Sequence, residues 1–331
     1  MNVLLTSVGR RFELLRAFRN AYDDLELAGN IVVTDIDPLA PALKLADRIY
    51  MVPRVTDPNL VEELEEITRR ENIDLIVPLV DRDIPVLVGS RSALESAGAR
   101  VLVPTEHASR TVRDKLLTQR FFLENGVPTP RSWLPAEVHD TDLEYPLFIK
   151  PRCGSAAEQT FKVRNPKELS FFLDYVDDPI VQEFLPGPEI TNDVFCDFDG
   201  NVRSVVSRRR VEVRTGEVAK GQTIYDPELI DYCATVAKGL ETRGPITVQC
   251  ILKEGRPYFT EVNARFGGGV PLGIAAGVDS PKWLLAFTAG LGVDTPPLSS
   301  YTAGLYLTRY DESLIMSEGD RARIERNRLR P

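Results

Sequence analysis

Over its first hundred residues the chain alternates short apolar runs with helically spaced segments. The runs are Val3–Leu5, Ile31–Val33, Ile73–Leu79 and Ala99–Val103, and the helical spacing lies in Phe12–Tyr22, Leu60–Arg70 and Ile84–Ala97. Each helix carries the chain back to the end of the sheet where the last strand began, so this alternation implies an open parallel α/β sheet. From Val112 a further helix, anchored by Leu116, Phe122 and Leu123, runs to Gly126. Glycine suits the left-handed position after a helix, and Pro128 blocks continuation. Polar residues from Pro135 to Glu144 read as a linker, which places a domain boundary between Pro104 and Glu144. Beyond it the pattern becomes mixed α+β. Strands are expected at Tyr145–Lys150, Gln159–Val163, Ile180–Phe184, Glu189–Phe198 and Val202–Val213, with helices at Glu168–Tyr175 and Pro227–Glu241. Ile246–Leu252 and Pro257–Asn263 form a hairpin, and the Arg-rich end, Arg321–Arg330, reads as a helix or tail with a solvated face. A length of 331 residues fits about two such domains.

Charge and rare residues narrow the chemistry. Forty Lys and Arg against 49 Asp and Glu give a net charge of −9, which argues against a general binder of nucleic acid or anionic membrane but leaves room for a local basic cleft. There are only two histidines, His107 and His139. Both are expected in loops, neither has an i, i+4 partner for a helical zinc site, and both read as solvated. Cys153, Cys196, Cys233 and Cys250 show no C-x-x-C spacing and read as reduced thiols of a cytoplasmic protein. No signal peptide or membrane span is expected.

The late hairpin carries the most informative constellation. On Pro257–Asn263, alternation places Phe259, Glu261 and Asn263 on one face, with Glu261 and Asn263 about 7 Å apart. Both are hard oxygen ligands suited to Mg²⁺. Gln249 is the third donor if a three-residue loop, Glu254-Gly255-Arg256, pairs Lys253 with Pro257; a two-residue loop would turn it to the opposite face. Arg265-Phe266-Gly267-Gly268-Gly269 follows, a cation and three glycines that allow close backbone approach to a phosphate while Arg265 makes forked contacts. Lys150 ends an apolar strand and enters Pro151-Arg152-Cys153-Gly154-Ser155-Ala156-Ala157, where its ammonium can meet a polyphosphate cradled by loop amides. Gln182-Glu183-Phe184-Leu185-Pro186-Gly187-Pro188-Glu189 is a strand, a sharp break and a new strand. Exposed backbone there suits an adenine edge, Phe184 or Leu185 its face, and Glu189 the ribose hydroxyls. Taken singly, each of these has a plain alternative: a polar strand edge, a flexible glycine loop, a solvated lysine or a Pro-Gly turn.

In combination and order, Asp114-Lys115, Gly126-Val127-Pro128-Thr129-Pro130, Phe148-Ile149-Lys150-Pro151-Arg152, the Gln182–Glu189 segment, Gln249 and Glu261-Val262-Asn263-Ala264-Arg265 closely resemble the ATP-grasp superfamily. The chain is similar to short stand-alone relatives of the carbamoyl-phosphate synthase large subunit. The resemblance implies a Rossmann-like pre-ATP-grasp domain over residues 1–110 and an ATP-grasp domain over 111–331, with a small lobe at about 125–185 and a larger one at about 186–331. It implies that Lys115 and Lys150 contact ATP phosphates with Ser155 in the loop, that Gln182, Glu183, Phe184 and Leu185 meet adenine, that Glu189 holds ribose, and that Gln249, Glu261 and Asn263 carry Mg²⁺ or Mn²⁺. The phosphate loop is shorter and poorer in glycine than in many members, and Gln249 stands where many have an acid.

Arg210 and Arg265 join Lys150 as catalytic candidates, placed to stabilise the transferring phosphoryl group; Arg208 shares a face with Arg210, while Arg209 and Lys220 read as solvated. In the first domain Arg10 or Arg11, at a helix start, is expected to hold an acidic substrate. Asp35, Asp37 and Asp81 lie near strand C-termini, as ligand groups or as turn and cap residues. The implied activity is that of an ADP-forming ligase acting on a small carboxylate and an amine. A carbamate- or bicarbonate-phosphorylating enzyme and a non-catalytic ATP sensor are the alternatives, and a homo-oligomer is compatible with any of them.

Overall fold

The computed structural model describes residues 1–138, 143–154, 158–214 and 216–329. Among these residues the chain builds three sheets. The first is parallel throughout, in the order Arg48–Met51, Ile31–Asp35, Asn2–Thr6, Ile73–Pro78, Arg100–Val101. Chain order reverses at Asn2–Thr6, so the crevice between its C-terminal end and that of Ile73–Pro78 is the switch point where open α/β sheets bind ligands. Residues in Asn2–Thr6 and Ile31–Asp35 are almost all fully buried, which accounts for their unbroken apolar runs.

The second sheet is antiparallel and small: Ser132–Trp133, Pro179–Glu183, Leu147–Pro151, Phe161–Val163. The third is antiparallel and larger, in the order Arg256–Asn263, Gly244–Lys253, Glu189–Cys196, Val202–Arg214, Glu217–Ile224, Tyr306–Thr308. The sequence reading lacked Arg48–Met51, Ser132–Trp133, Glu217–Ile224 and Tyr306–Thr308. Two expected helices are broken. Ile84–Ala97 is split at Ser90, whose hydroxyl bonds back to the Val86 carbonyl (2.8 Å), into Asp83–Gly89 and Arg91–Ser96. The helix expected from Val112 is split at Asp114 into Glu106–Arg113 and Lys115–Glu124, because Asp114 is extended and caps the second by accepting from the Leu116 N–H (2.9 Å). His107 accordingly lies in the first turn of a helix rather than in a loop. His139 lies outside the described residues.

The parallel sheet is not an isolated unit. The helix Ser280–Thr288 packs on the helix Phe12–Asp24, and Phe18 meets Phe266 edge-on at 5.9 Å, so Trp283, Leu285 and Phe266 share one core with Val3, Leu5 and Val33. The chain end also returns to this sheet. After the helix Glu318–Glu325, the Asn327 carbonyl accepts from the Met51 N–H (3.0 Å) and Leu329 joins the core beneath, so the Arg-rich end is docked rather than merely solvated. No helix among the described residues is long and apolar enough to cross a membrane.

Candidate active site

A cavity of about 1690 Å³ opens between the three sheets and takes lining residues from each. At its inner end lies the hairpin Gly244–Lys253 with Arg256–Asn263. The turn has two residues, Glu254 and Gly255, both at positive φ (54° and 80°), and pairs Lys253 with Arg256. By itself that register would turn Gln249 away from Glu261. A bulge at Thr260 corrects it: Cys250 pairs with Phe259, while Gln249 pairs with Glu261 and Thr247 with Asn263. Gln249 therefore reaches the expected place by a bulge and not by a three-residue loop. The same bulge sends Phe259, completely buried, into the core with Val262, so Phe259 does not share the face of Glu261 and Asn263.

The donor set here is one carboxylate and two amides, and no cluster of three His, Cys, Asp or Glu suited to a metal occurs among the described residues. A site poor in charge but rich in hard oxygen fits Mg²⁺ that takes most of its ligands from phosphate and water. Opposite lies Lys150, only 6% exposed. No hydrogen bond or ion pair to a described residue holds its Nζ. Burial lowers its pKa to about 8, with Glu261 opposing that shift and Lys115 adding to it. An ammonium left without a partner in a deep cavity is a site for a polyanion.

Lys115, 8% exposed, donates to the Gly154 carbonyl at 2.9 Å. Asp114 ties the same loop down, pairing with Arg152 at 2.5 Å while the Lys115 N–H donates to the Arg152 carbonyl. Both expected phosphate lysines thus meet at the mouth of the loop; Ser155 lies outside the described residues. Gln182 is buried and donates to the Ser132 hydroxyl at 2.7 Å. The Glu183 N–H is already committed to the Arg131 carbonyl and its carboxylate to Lys253 (2.9 Å), whereas among the described residues no acceptor takes the N–H of Leu185, which follows the strand. Phe184 is capped by Lys162, 3.9 Å from its ring. Gly187 passes over the neighbouring hairpin so closely that a Cβ would stand 2.0 Å from the Leu252 carbonyl oxygen. Glu189 is half-exposed at the rim and pairs with Arg210 at 2.8 Å.

The glycine run has a different reason from the one expected. Arg208, 2% exposed, is gripped by both Asp193 oxygens (2.6 and 2.9 Å), and a Cβ on Gly269 would lie 2.0 Å from its Nη1. A Cβ on Gly267 would lie 2.6 Å from Asp193 Oδ1. These two glycines make room for a buried ion pair. Arg265 spends its fork on Asp81, in the turn after the strand Ile73–Pro78 (3.0 and 2.7 Å), where a phosphate contact was expected. Of the two N-terminal arginines, Arg11 turns into the cavity, its nearest carboxylate Glu217 at 4.0 Å, and its pKa falls to about 10 through burial and then the charge of Arg265. Arg10 is exposed and outside the lining. Asp35 lines the cavity but is held by backbone N–H groups, and Asp37 is a turn residue accepting from the Leu39 N–H. Arg209 is exposed, and Lys220 pairs with Glu212 at 2.7 Å.

Comparison with known proteins agrees with this fold. Residues 3–102 match the family model of the PylC-like N-terminal domain, and residues 176–308 that of the ATP-grasp domain in the biosynthetic pathway with Ter operon. The chain thus carries an ATP-grasp domain behind a PylC-like N-terminal domain. It is 25% identical over 313 residues to the 3-methyl-D-ornithine–L-lysine ligase of Methanosarcina mazei, covering 92% of this chain and 79% of that one. With the carbamoyl-phosphate synthase of Methanobrevibacter smithii it shares 25% identity over 184 residues, and the match spans about half of each chain, 52% and 49%. The biotin carboxylase domain of Hydrogenobacter thermophilus 2-oxoglutarate carboxylase, solved with MgADP and bicarbonate, has the same fold, with a TM-score of 0.73 at 20% identity over 92% of this chain and 73% of that one. The curated relatives include proteins named as ligases, and the solved neighbour just described was captured with MgADP.

Four residues lining or bracing the site were not found from the sequence: Asp83, Asp193, Glu217 and Arg309. Arg309 donates to Glu13 (3.0 Å), Glu217 (3.3 Å) and the Gly268 carbonyl (2.5 Å), joining the first helix to the glycine run. Glu217 had no clear strand signal, because Lys220 and Gly221 interrupt the apolar pattern of Glu217–Ile224. Arg309 carries no local signal, since its partners lie more than forty to nearly three hundred residues away.

Proposed function

We propose that the protein activates a substrate carboxylate as an acyl phosphate, which an amine or similar nucleophile then captures. One observation carries this reading: a single cavity has Lys150, which no described residue holds by a hydrogen bond or ion pair, at one end and Arg11 beside Arg265 at the other, joined by the strand that bears Glu261 and Asn263. Lys150, Lys115 and the loop at Arg152–Gly154 would hold the phosphates; Leu185 and Glu189 would hold the nucleoside; Gln249, Glu261 and Asn263 would hold Mg²⁺, which when bound neutralises phosphate oxygens. Arg11 and the Gly268 backbone would orient the carboxylate. Its oxygen attacks the γ-phosphorus as the bond to the β-phosphate oxygen breaks and ADP leaves. The amine lone pair then attacks the acyl carbon, phosphate departs, and the amine proton is released. Positioning and charge supply the catalysis, so no side-chain nucleophile is required. The matching domain limits are 1–110 for the substrate-binding domain and 111–331 for the ATP-grasp unit, with lobes meeting near residue 185.

Carboxylate-dependent ADP release, screened over carboxylates and amines with mass spectrometry of products, tests the reading. Lys150→Ala and Glu261→Ala are each expected to lower turnover at least a hundredfold; full turnover in either folded variant would show the site to be misassigned. Arg309→Met removes the tether of the Gly268 carbonyl to the first helix. It is expected to lower ADP release at least tenfold with only a small change in the KM for ATP, and an unchanged rate would show that the tether does not position the loop.

A further inference from the structure

Past Arg265 and Asp81 the cavity continues toward the parallel sheet, into a recess the phosphoryl chemistry does not use. Its walls carry apolar groups, Val52 and Val55 after the strand Arg48–Met51, Leu60 and Leu64 on the helix Leu60–Arg70, and Val86 and Leu87 on the helix Asp83–Gly89, with the exposed Arg54 and Arg82 also on the lining. Its acidic groups sit at the switch point. Three aspartates stand here, and they differ in what holds them. Asp35 accepts from the N–H groups of Gly9, Ile36 and Asp37. Asp81 is forked by Arg265. Asp83 accepts only from hydroxyls, from Thr6 Oγ1 at 2.6 Å and from Ser7, and no cation of a described residue pairs with it although it is 7% exposed. Burial raises its pKa above the usual carboxylate range. A carboxyl in an apolar recess without a cation is unfavourable, and a ligand's ammonium would relieve it while the walls bury the ligand's hydrocarbon.

We propose that this recess receives the nucleophilic substrate and takes a primary amine bearing an aliphatic side chain, with the amino group against Asp83. The inference rests on the acyl-phosphate reading above and adds to it the place and chemical class of the amine. The recess opens onto Arg265 and Arg11, so an amine seated there faces the carboxylate held at that end.

Calorimetric binding of three probes to the intact protein tests this directly. L-Leucinamide carries both the amine and the side chain, glycinamide lacks the side chain, and 4-methylpentanamide lacks the amine. Leucinamide is expected to bind at least tenfold more tightly than either of the others. Asp83→Asn, which keeps an acceptor for Thr6, is expected to weaken leucinamide at least tenfold. Leu64→Phe, which fills the recess, is expected to weaken leucinamide but not glycinamide, with thermal midpoints confirming that both variants fold. Equal binding of leucinamide and glycinamide, equal binding of 4-methylpentanamide, or undiminished binding to Asp83→Asn would each overturn the proposal. Absence of carboxylate-dependent ADP release alongside intact leucinamide selectivity would sink the functional reading and leave this site standing; the reverse pattern would sink this site alone.

Discussion

Replacing Lys150 by methionine is expected to stabilise the ligand-free protein and abolish ATP binding at the same time. The folded pKa is about 8 against a reference value of 10.5. A lysine whose folded pKa is depressed costs stability in full below the folded value, and the cost fades as pH rises toward the unfolded value, because the unfolded chain then holds the extra proton. A difference of that size corresponds to about 3 kcal/mol near pH 7. Unfolding free energies of wild type and Lys150→Met should differ by about that amount at neutral pH, with the variant the more stable, and the gap should close between pH 8 and pH 10.5. A gap that is absent at pH 7, or independent of pH, would remove the claim that the ammonium is buried without a partner.

The same group predicts proton uptake. A polyphosphate beside Lys150 restores its charged form, so ATP binding at pH 8.5 should draw a proton from the buffer, seen as a binding enthalpy that varies with buffer ionisation enthalpy. Lys150→Met should show neither the uptake nor the rise in thermal midpoint that ATP with Mg²⁺ gives the wild type. Stability spent on a strained charge in the empty protein is what the site holds ready for its ligand.

How much of this was legible in the sequence follows from the range of each interaction. The strands Asn2–Thr6 and Ile31–Asp35 of the parallel sheet were readable because they are buried almost throughout and so carry apolar runs, whereas Arg48–Met51 starts on the exposed Arg48 and was missed; the candidate phosphate and metal residues drew attention because each sits in a short segment with its own turn or strand signal. What escaped depends on distant partners. Gln249 faces Glu261 only through a bulge at Thr260, which alternation cannot announce. Arg265 looked like a free fork because Asp81, its partner, is 184 residues away. Glu217–Ile224 was passed over because Lys220 and Gly221 interrupt its apolar pattern, although pairing on both edges fixes it as a strand. Arg208 was placed only on the face it shares with Arg210, since a chain gives no sign that Asp193 lies opposite; its burial beneath the glycine run is a tertiary fact.

That burial separates Gly269 from Gly268, and alanine at each should report it. Gly269→Ala places a Cβ 2.0 Å from Arg208 Nη1 and 2.5 Å from its Cζ. The guanidinium cannot withdraw, because both Asp193 oxygens hold it and it is 2% exposed. Either the loop shifts or the ion pair opens, and breaking a buried pair costs about 3–5 kcal/mol. Gly269→Ala should therefore lower stability by roughly 3 kcal/mol and activity at least a hundredfold. Gly268→Ala meets only the tip of Arg11, at 3.0 Å, with Glu217 at 3.7 Å. A flexible guanidinium end can move by a few tenths of an ångström, so stability should change by less than about 1 kcal/mol, while the KM for the activated carboxylate rises because Arg11 and the Gly268 backbone are what would orient it. Denaturant unfolding and ADP-release kinetics on the two variants give the answer. If both lose stability equally, the run is simply a tight turn; if Gly268→Ala raises the KM for ATP and not for the carboxylate, Arg11 belongs to the nucleotide and the acceptor lies elsewhere in the cavity.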